Sequence, residues 1–197
     1  MSGRYQTKKS RICKPSEGQR ATYAAVVKAY EIDHQKDASR EMRFFSIQKS
    51  LPVAIEFAAT ARLPGDSKHT HQWRIPNGVL QRFAFRLLAI QGELQAVRDF
   101  YALWSLVRRE GKRVKGIGEL SIYDTAHRIG AFLSIEPEFI YMHAGARAGA
   151  RALGLSIEGL YLEVEQVPVA PRRLKPYEIE DCLCIYKADL AAMRTRE

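Results

Sequence analysis

Apolar side chains recur along this chain at intervals of three and four, and that periodicity predicts a succession of amphipathic helices. Ala21, Ala24, Ala25, Val26 and Tyr30 form one stripe in a run from Gly18 to about Gln35, with Ser16 and Gln19 at capping-box spacing ahead of it. A second helix is predicted from Ala38 to Gln48. Ser50 and Pro52 then restart the chain, because proline suits a first helical turn, and Val53, Ala54, Ile55, Phe57, Ala58 and Ala61 follow. Leu63 to Pro76, with its prolines, glycine and polar residues, predicts a loop. Val79 to Ile90 reads as a helix, and Glu93 to Arg109 continues with Leu94, Val97, Phe100, Tyr101, Trp104 and Val107 at helical spacing. Glu119 to Leu133 offers Leu120, Ile122, Tyr123, Ala126, Ile129 and Leu133 as a buried side. Phe139 to Met142 is apolar and precedes a short small-residue helix, Gly145 to Leu153. Leu160 to Val167 fits a short strand or an extended crossing, and a last helix is predicted from Tyr177 to Met193. Strands are scarce, so the class is all-α.

Composition narrows the function classes. The chain has 197 residues, 46% hydrophobic and 27% charged, enough for one large domain or two small lobes with a proper core. Residues 1–15 are basic and aperiodic, which predicts a flexible arm, and 16–197 reads as a single two-lobed domain. The formal net charge of +9 favours a polyanionic partner, since cations that neutralise phosphates release condensed counterions. Basic residues gather at Arg4, Lys8, Lys9, Arg11 and Lys14, then at Arg108, Arg109, Lys112, Arg113 and Lys115, and again at Arg172, Arg173 and Lys175. Cys13, Cys182 and Cys184 form neither a disulfide framework nor a zinc spacing, and Cys182 and Cys184 should face different sides of a helix as apolar fillers. No signal core and no membrane span is legible, which makes the cytoplasm the expected compartment and a membrane partner unexpected.

Between two helical runs stands Val114, Lys115, Gly116, Ile117, Gly118, an apolar-x-Gly-apolar-Gly bend. Its spacing is that of a helix-hairpin-helix: glycines allow positive φ and a backbone bare enough to lie against a phosphate, and the amides opening the helix at Glu119 attract an anion. Arg113 and Lys115 lie where that phosphate would sit. The plain alternative is an interhelical turn.

Two further stretches extend the pattern. Phe44, Phe45, Ser46, Ile47, Gln48, Lys49 and Ser50 resemble the apolar-apolar-Ser-x-Gln-x-Ser segment of the helix-hairpin-helix base-excision DNA glycosylases. Ile140, Tyr141, Met142 and His143, with the helix closing on Leu153, Gly154 and Leu155, are similar to that family's apolar-Asp-Thr-x segment. The resemblance spans about residues 42–155 and implies a two-lobed helix-hairpin-helix DNA glycosylase-like domain. One lobe would hold the central helices, and the other would combine the N-terminal helices with the helix at 177–193. Double-stranded DNA is the implied partner. Gln48 would fill the gap left by an extruded base, with Arg147 reaching a phosphate. The chain also departs from the family: His143 stands where its catalytic aspartate would be, Leu120 replaces the lysine of lyase members, and four cluster-binding cysteines are missing. If an enzyme, it would be a monofunctional DNA N-glycosylase, a hydrolase of DNA repair. The alternative is a non-enzymatic DNA-binding or adaptor subunit.

Cleaving an N-glycosidic bond builds positive charge on the sugar, so a carboxylate is required nearby. Asp124 is the best placed, although an i, i+4 pair with Arg128 would explain it equally. His143 suits a general base or a hydrogen-bonded core residue. In the loop, Gln72 and Trp73 suit reading and stacking on a base, with His69 and His71 beside them in the same pocket. His69 and His71 share a side if extended and could hold a metal together, but no further ligand is nameable, and no cofactor or metal is assigned. A solvated loop anchored by Trp73 is the remaining alternative.

Overall fold

The computed structural model describes residues 23–168 and 173–194. The predicted basic arm, the Ser16 and Gln19 cap and Cys13 lie outside them. Among the described residues there are ten helices and one two-stranded sheet, so the all-helical class holds. No helix there is long and apolar enough to cross a membrane.

The chain divides into two compact units. The first is Ser39–Glu138, and the second joins residues 23–38 to the described residues from Phe139 onward. Helix α1 is Tyr23–Asp33 and α2 is Gln35–Ser46, which ends in the first unit. There α3 (Leu51–Ala59) packs on α4 (Asn77–Ala89) and α7 (Glu119–Leu133), and α6 (Phe100–Gly111) lies against α4 and α7. Phe45, Ile55, Phe83, Leu87, Leu103, Ile122 and Ile129 are wholly buried there.

The single helix predicted from Glu93 to Arg109 is broken. Helix α5 stops at Ala96, Val97 is extended (ψ 154°), and Asp99 caps α6 by accepting from the Ala102 amide at 2.7 Å. A capping aspartate outweighed the unbroken apolar spacing, because it satisfies a donor that the helix cannot. The last predicted helix is likewise divided at Tyr186 into α9 (Pro176–Ile185) and α10 (Lys187–Arg194).

In the second unit, β1 (Ile140–Tyr141) pairs antiparallel with β2 (Tyr161–Leu162), Ile140 opposite Leu162. Helix α8 (Ala144–Ala152) lies against α9 and α10. That packing depends on glycine: a Cβ at Gly149 would sit 2.0 Å from the Leu183 carbonyl oxygen. The small-residue helix is therefore a close-packing device. Tyr23, Val27, Tyr30, Ile140, Ile179 and Leu183 form this unit's core.

Candidate functional site

Of the two glycines in the bend between α6 and α7, Gly116 takes the expected positive φ and Gly118 does not. Val114 and Ile117 tuck into the unit, while Lys115, Gly116 and Gly118 face solvent. Gly116 takes φ +101°, a conformation closed to most side chains, and Gly118 is the N-cap of α7 in extended geometry. A Cβ on Gly118 would meet nothing within 4 Å, whereas one on Gly116 would press on Val79 at 3.3 Å. The bend thus offers a bare strip of backbone at the N-terminus of a 15-residue helix.

The cations flanking it are less free than the sequence implies. Buried Glu110 gathers Arg86, Arg109 and Arg113, and Glu119 takes Arg108 and Lys112. These carboxylates hold the guanidinium groups around the bend and cancel part of their charge. Lys115 is not among these pairs.

Gln48 follows α2, and its amide donates to the Phe44 carbonyl at 2.6 Å. Its neighbour Ile47 is 71% exposed, an apolar side chain in solvent that sequence reasoning passed over. Its position just beyond the last turn of α2 was the available signal.

The loop at 60–76 brings several predicted residues onto α7. Gln72 is buried and donates to the Asp124 carboxylate at 2.5 Å, and His71 Nδ1 lies 3.5 Å from the same oxygen. The rings of His69 and His71 meet edge to face, centroids 4.7 Å apart. Trp73 does not anchor the loop: it is 61% exposed, with Arg74 stacked over its indole. The groove between α3 and α4, lined by Arg62, Lys68, Leu80 and Phe85 among others, contains none of His69, His71, Gln72 or Asp124.

Asp124 does not make the predicted bond with Arg128. Arg128, 2% exposed, donates to Glu41 at 2.8 Å from beneath the Phe45 ring, and Glu41 also faces His69 Nε2 at 3.3 Å. Glu41 is the member of the cluster that sequence reasoning missed, since it lies 87 positions from Arg128, which local spacing had paired with Asp124. Burial opposes ionisation of Asp124, but the bond from His71 and the charges of Arg128, His71 and His69 outweigh it and hold the carboxyl well below its usual range. Burial likewise opposes Glu41's ionisation, and Arg128 and His69 bring that carboxyl down to about 2. His127, on the same helix, is pushed down to about 4 by burial. The cluster is anionic at two fixed points, with a buried guanidinium between their influences.

His143 belongs to the second unit. It stands at the N-cap of α8, its Nδ1 3.1 Å from the Gly145 amide nitrogen, and its Nε2 bonds Glu180. Cys184 completes that group: a Cβ on Gly145 would lie 2.4 Å from its sulfur. Burial disfavours the imidazolium, yet Cys184 and Glu180 prevail and raise the histidine to about 10. The acidic start of α9 is accordingly spent on specific bonds: Glu178 accepts from Gln35 and the Lys175 amide, Glu180 from His143, Asp181 from Tyr30. Arg147, expected at a phosphate, donates to the Gly159 carbonyl at 2.6 Å.

Among the described residues, two groups of side chains have metal-ligand chemistry, His69 with His71 and Asp124, and His143 with Glu180 and Cys184. No family model, curated protein or solved structure matches the chain.

Proposed function

We propose that this protein binds duplex DNA through the bend at 114–118 and inspects or excises an extruded base, in the manner of a base-excision DNA glycosylase. The observation that carries the reading is the solvent-facing Lys115, Gly116 and Gly118 backbone at the start of α7, with Val114 and Ile117 buried behind it. Unpaired amides at such a terminus favour an anion, and Lys115 adds a cation beside them. Ile47 and Gln48 supply a wedge and a polar filler for the space a flipped base leaves. Trp73 supplies a stacking face.

Asp124 fits the part of a charge stabiliser. Its lowered pKa keeps it ionised, the form that favours positive charge developing on a sugar. The same property makes it a poor proton acceptor, so attack by water would need a separate base.

Duplexes carrying uracil, alkylated or oxidised bases, incubated with the protein and then heated in alkali, test the chemistry. Strand breaks abolished by Asp124→Asn are expected. Duplex binding without breaks on any of these substrates favours the second reading, a non-enzymatic DNA-binding or adaptor subunit. The observation favouring that second reading is Leu120, which leaves no amine where lyases of this type carry one. Absence of duplex binding defeats both.

A further inference from the structure

We propose that His69, His71 and Asp124 bind one divalent first-row transition-metal ion, with zinc the leading occupant. The site does not rest on the DNA-binding reading, and an ion bound there would take Asp124 out of the part of free charge stabiliser.

The donor set has the right chemistry. Two imidazoles and one carboxylate suit zinc and its neighbours, and two histidines with one carboxylate leave open positions for water or a ligand. The ligand atoms of the three residues lie within 4.8 Å of one another. Ligands about 2.1 Å from a tetrahedral zinc stand roughly 3.4 Å apart. His71 Nδ1 and Asp124 Oδ2 are already 3.5 Å apart, and His69 would draw in to complete the set.

The surroundings supply the support that metal histidines require. His69 presents Nε2 to Glu41 at 3.3 Å, while its Nδ1 faces the His71 amide at 3.2 Å. With the Nε2 proton held by Glu41, Nδ1 is the lone-pair nitrogen, and the ion takes the place of the amide hydrogen. A carboxylate behind a ligating imidazole fixes its tautomer and raises its basicity. The charge of Arg128, which would repel a cation, is paired with Glu41 at 2.8 Å.

A separate observation points to an absent partner. Gln72 is 2% exposed, and its Oε1 is buried with no hydrogen-bond partner, while its Nε2 is fixed on Asp124. A buried carbonyl oxygen without a partner is costly, and here it stands on a side chain bonded to a proposed ligand. The ion, or a water on it, would satisfy this oxygen. Neither His143 nor Glu180 carries a buried polar atom without a partner.

The test uses the full chain, stripped with a chelator and titrated with Zn²⁺ by calorimetry and with Co²⁺ by visible absorption, without DNA. A single equivalent is expected, with ligand-field bands and no sulfur-to-cobalt charge-transfer band. His71→Ala, at an exposed position, and Asp124→Asn should each weaken uptake by at least about 100-fold, and Glu41→Gln by about tenfold. Thermal melts confirm that each variant is folded. Failure of the wild type to take up either ion overturns the proposal. Uptake unchanged in both His71→Ala and Asp124→Asn, or a sulfur band lost in Cys184→Ser, overturns it too, by placing the ion elsewhere. Duplex binding by the same metal-free protein is scored separately, so either idea can fail alone.

Discussion

Gly116 and Gly118 stand two positions apart and have different reasons to be glycine. Gly116 needs its positive φ of +101°, so Gly116→Ala should lower stability by about 1–2 kcal/mol through backbone strain. Gly118 has ordinary dihedrals and open space above its Cα. Gly118→Ala should therefore melt within about 0.5 kcal/mol of the parent, while duplex affinity falls about tenfold, or 1.4 kcal/mol, because a methyl stands off the phosphate. Melting curves and fluorescence anisotropy on a labelled duplex separate the two effects. Affinity unchanged in Gly118→Ala would reduce the bend to a turn. His143 gives a residue-scale prediction of the opposite kind. Its proton affinity is raised from 6.5 to about 10 in the folded state, so the folded form binds the proton more tightly than the unfolded one. The resulting stabilisation is fully present below pH 6.5 and is lost as pH rises towards about 10. Urea midpoints across that interval should decline, and Glu180→Gln should flatten the decline.

Among the elements, α8 and α9 are joined more tightly than helices bearing ordinary side chains could be. Gly149 abuts the Leu183 backbone and Gly145 abuts Cys184, and a backbone carbonyl cannot rotate aside as a side chain can. Gly149→Ala should cost at least about 3 kcal/mol by overpacking. Gly92→Ala, in α5 with nothing within 4 Å, should be neutral or gain about 0.5–1 kcal/mol from a better helix former. Equal melting temperatures for the two variants would show that α8 and α9 do not meet as described. The same elements show what periodicity conveys. The stripe of α4 was legible because its buried residues, Leu80, Phe83, Ala84 and Leu87, face one side, whereas α7 is buried well beyond its apolar stripe, at Ser121, Thr125 and Arg128. The breaks at Val97 and Tyr186 were not legible, because the apolar spacing continues across each of them. A local event decides each: Asp99 captures the Ala102 amide, and at Tyr186 the chain turns with φ −97° and ψ 19°.

On the proposed reading, a chain of formal charge +9 should bind duplex DNA in a manner that weakens steeply with salt, because added salt opposes counterion release. The pairing of Arg86, Arg108, Arg109, Lys112 and Arg113 with Glu110 and Glu119 means that the net charge overstates the cations available near the bend. Lys115→Glu should accordingly weaken binding and reduce the slope of log K against log salt by about 1. Arg109→Ala, whose partners are Glu93 and Glu110, should change that slope less. Equal slopes in the two variants would refute a special role for Lys115.

Helical class, the loop at 63–76, the bend and its exposed glycines all followed from the sequence alone, since each rests on spacing or on the conformational range of one residue. Asp124 and the histidines of the loop were also visible one by one. What tertiary structure decided was pairing. It gave Arg128 to Glu41 instead of Asp124, turned Trp73 outward, set His143 against Glu180 and Cys184, and carried His69, His71 and Gln72 to α7. Partners separated by tens of residues are chosen by the packing of helices, and no local pattern encodes which carboxylate a buried cation will meet.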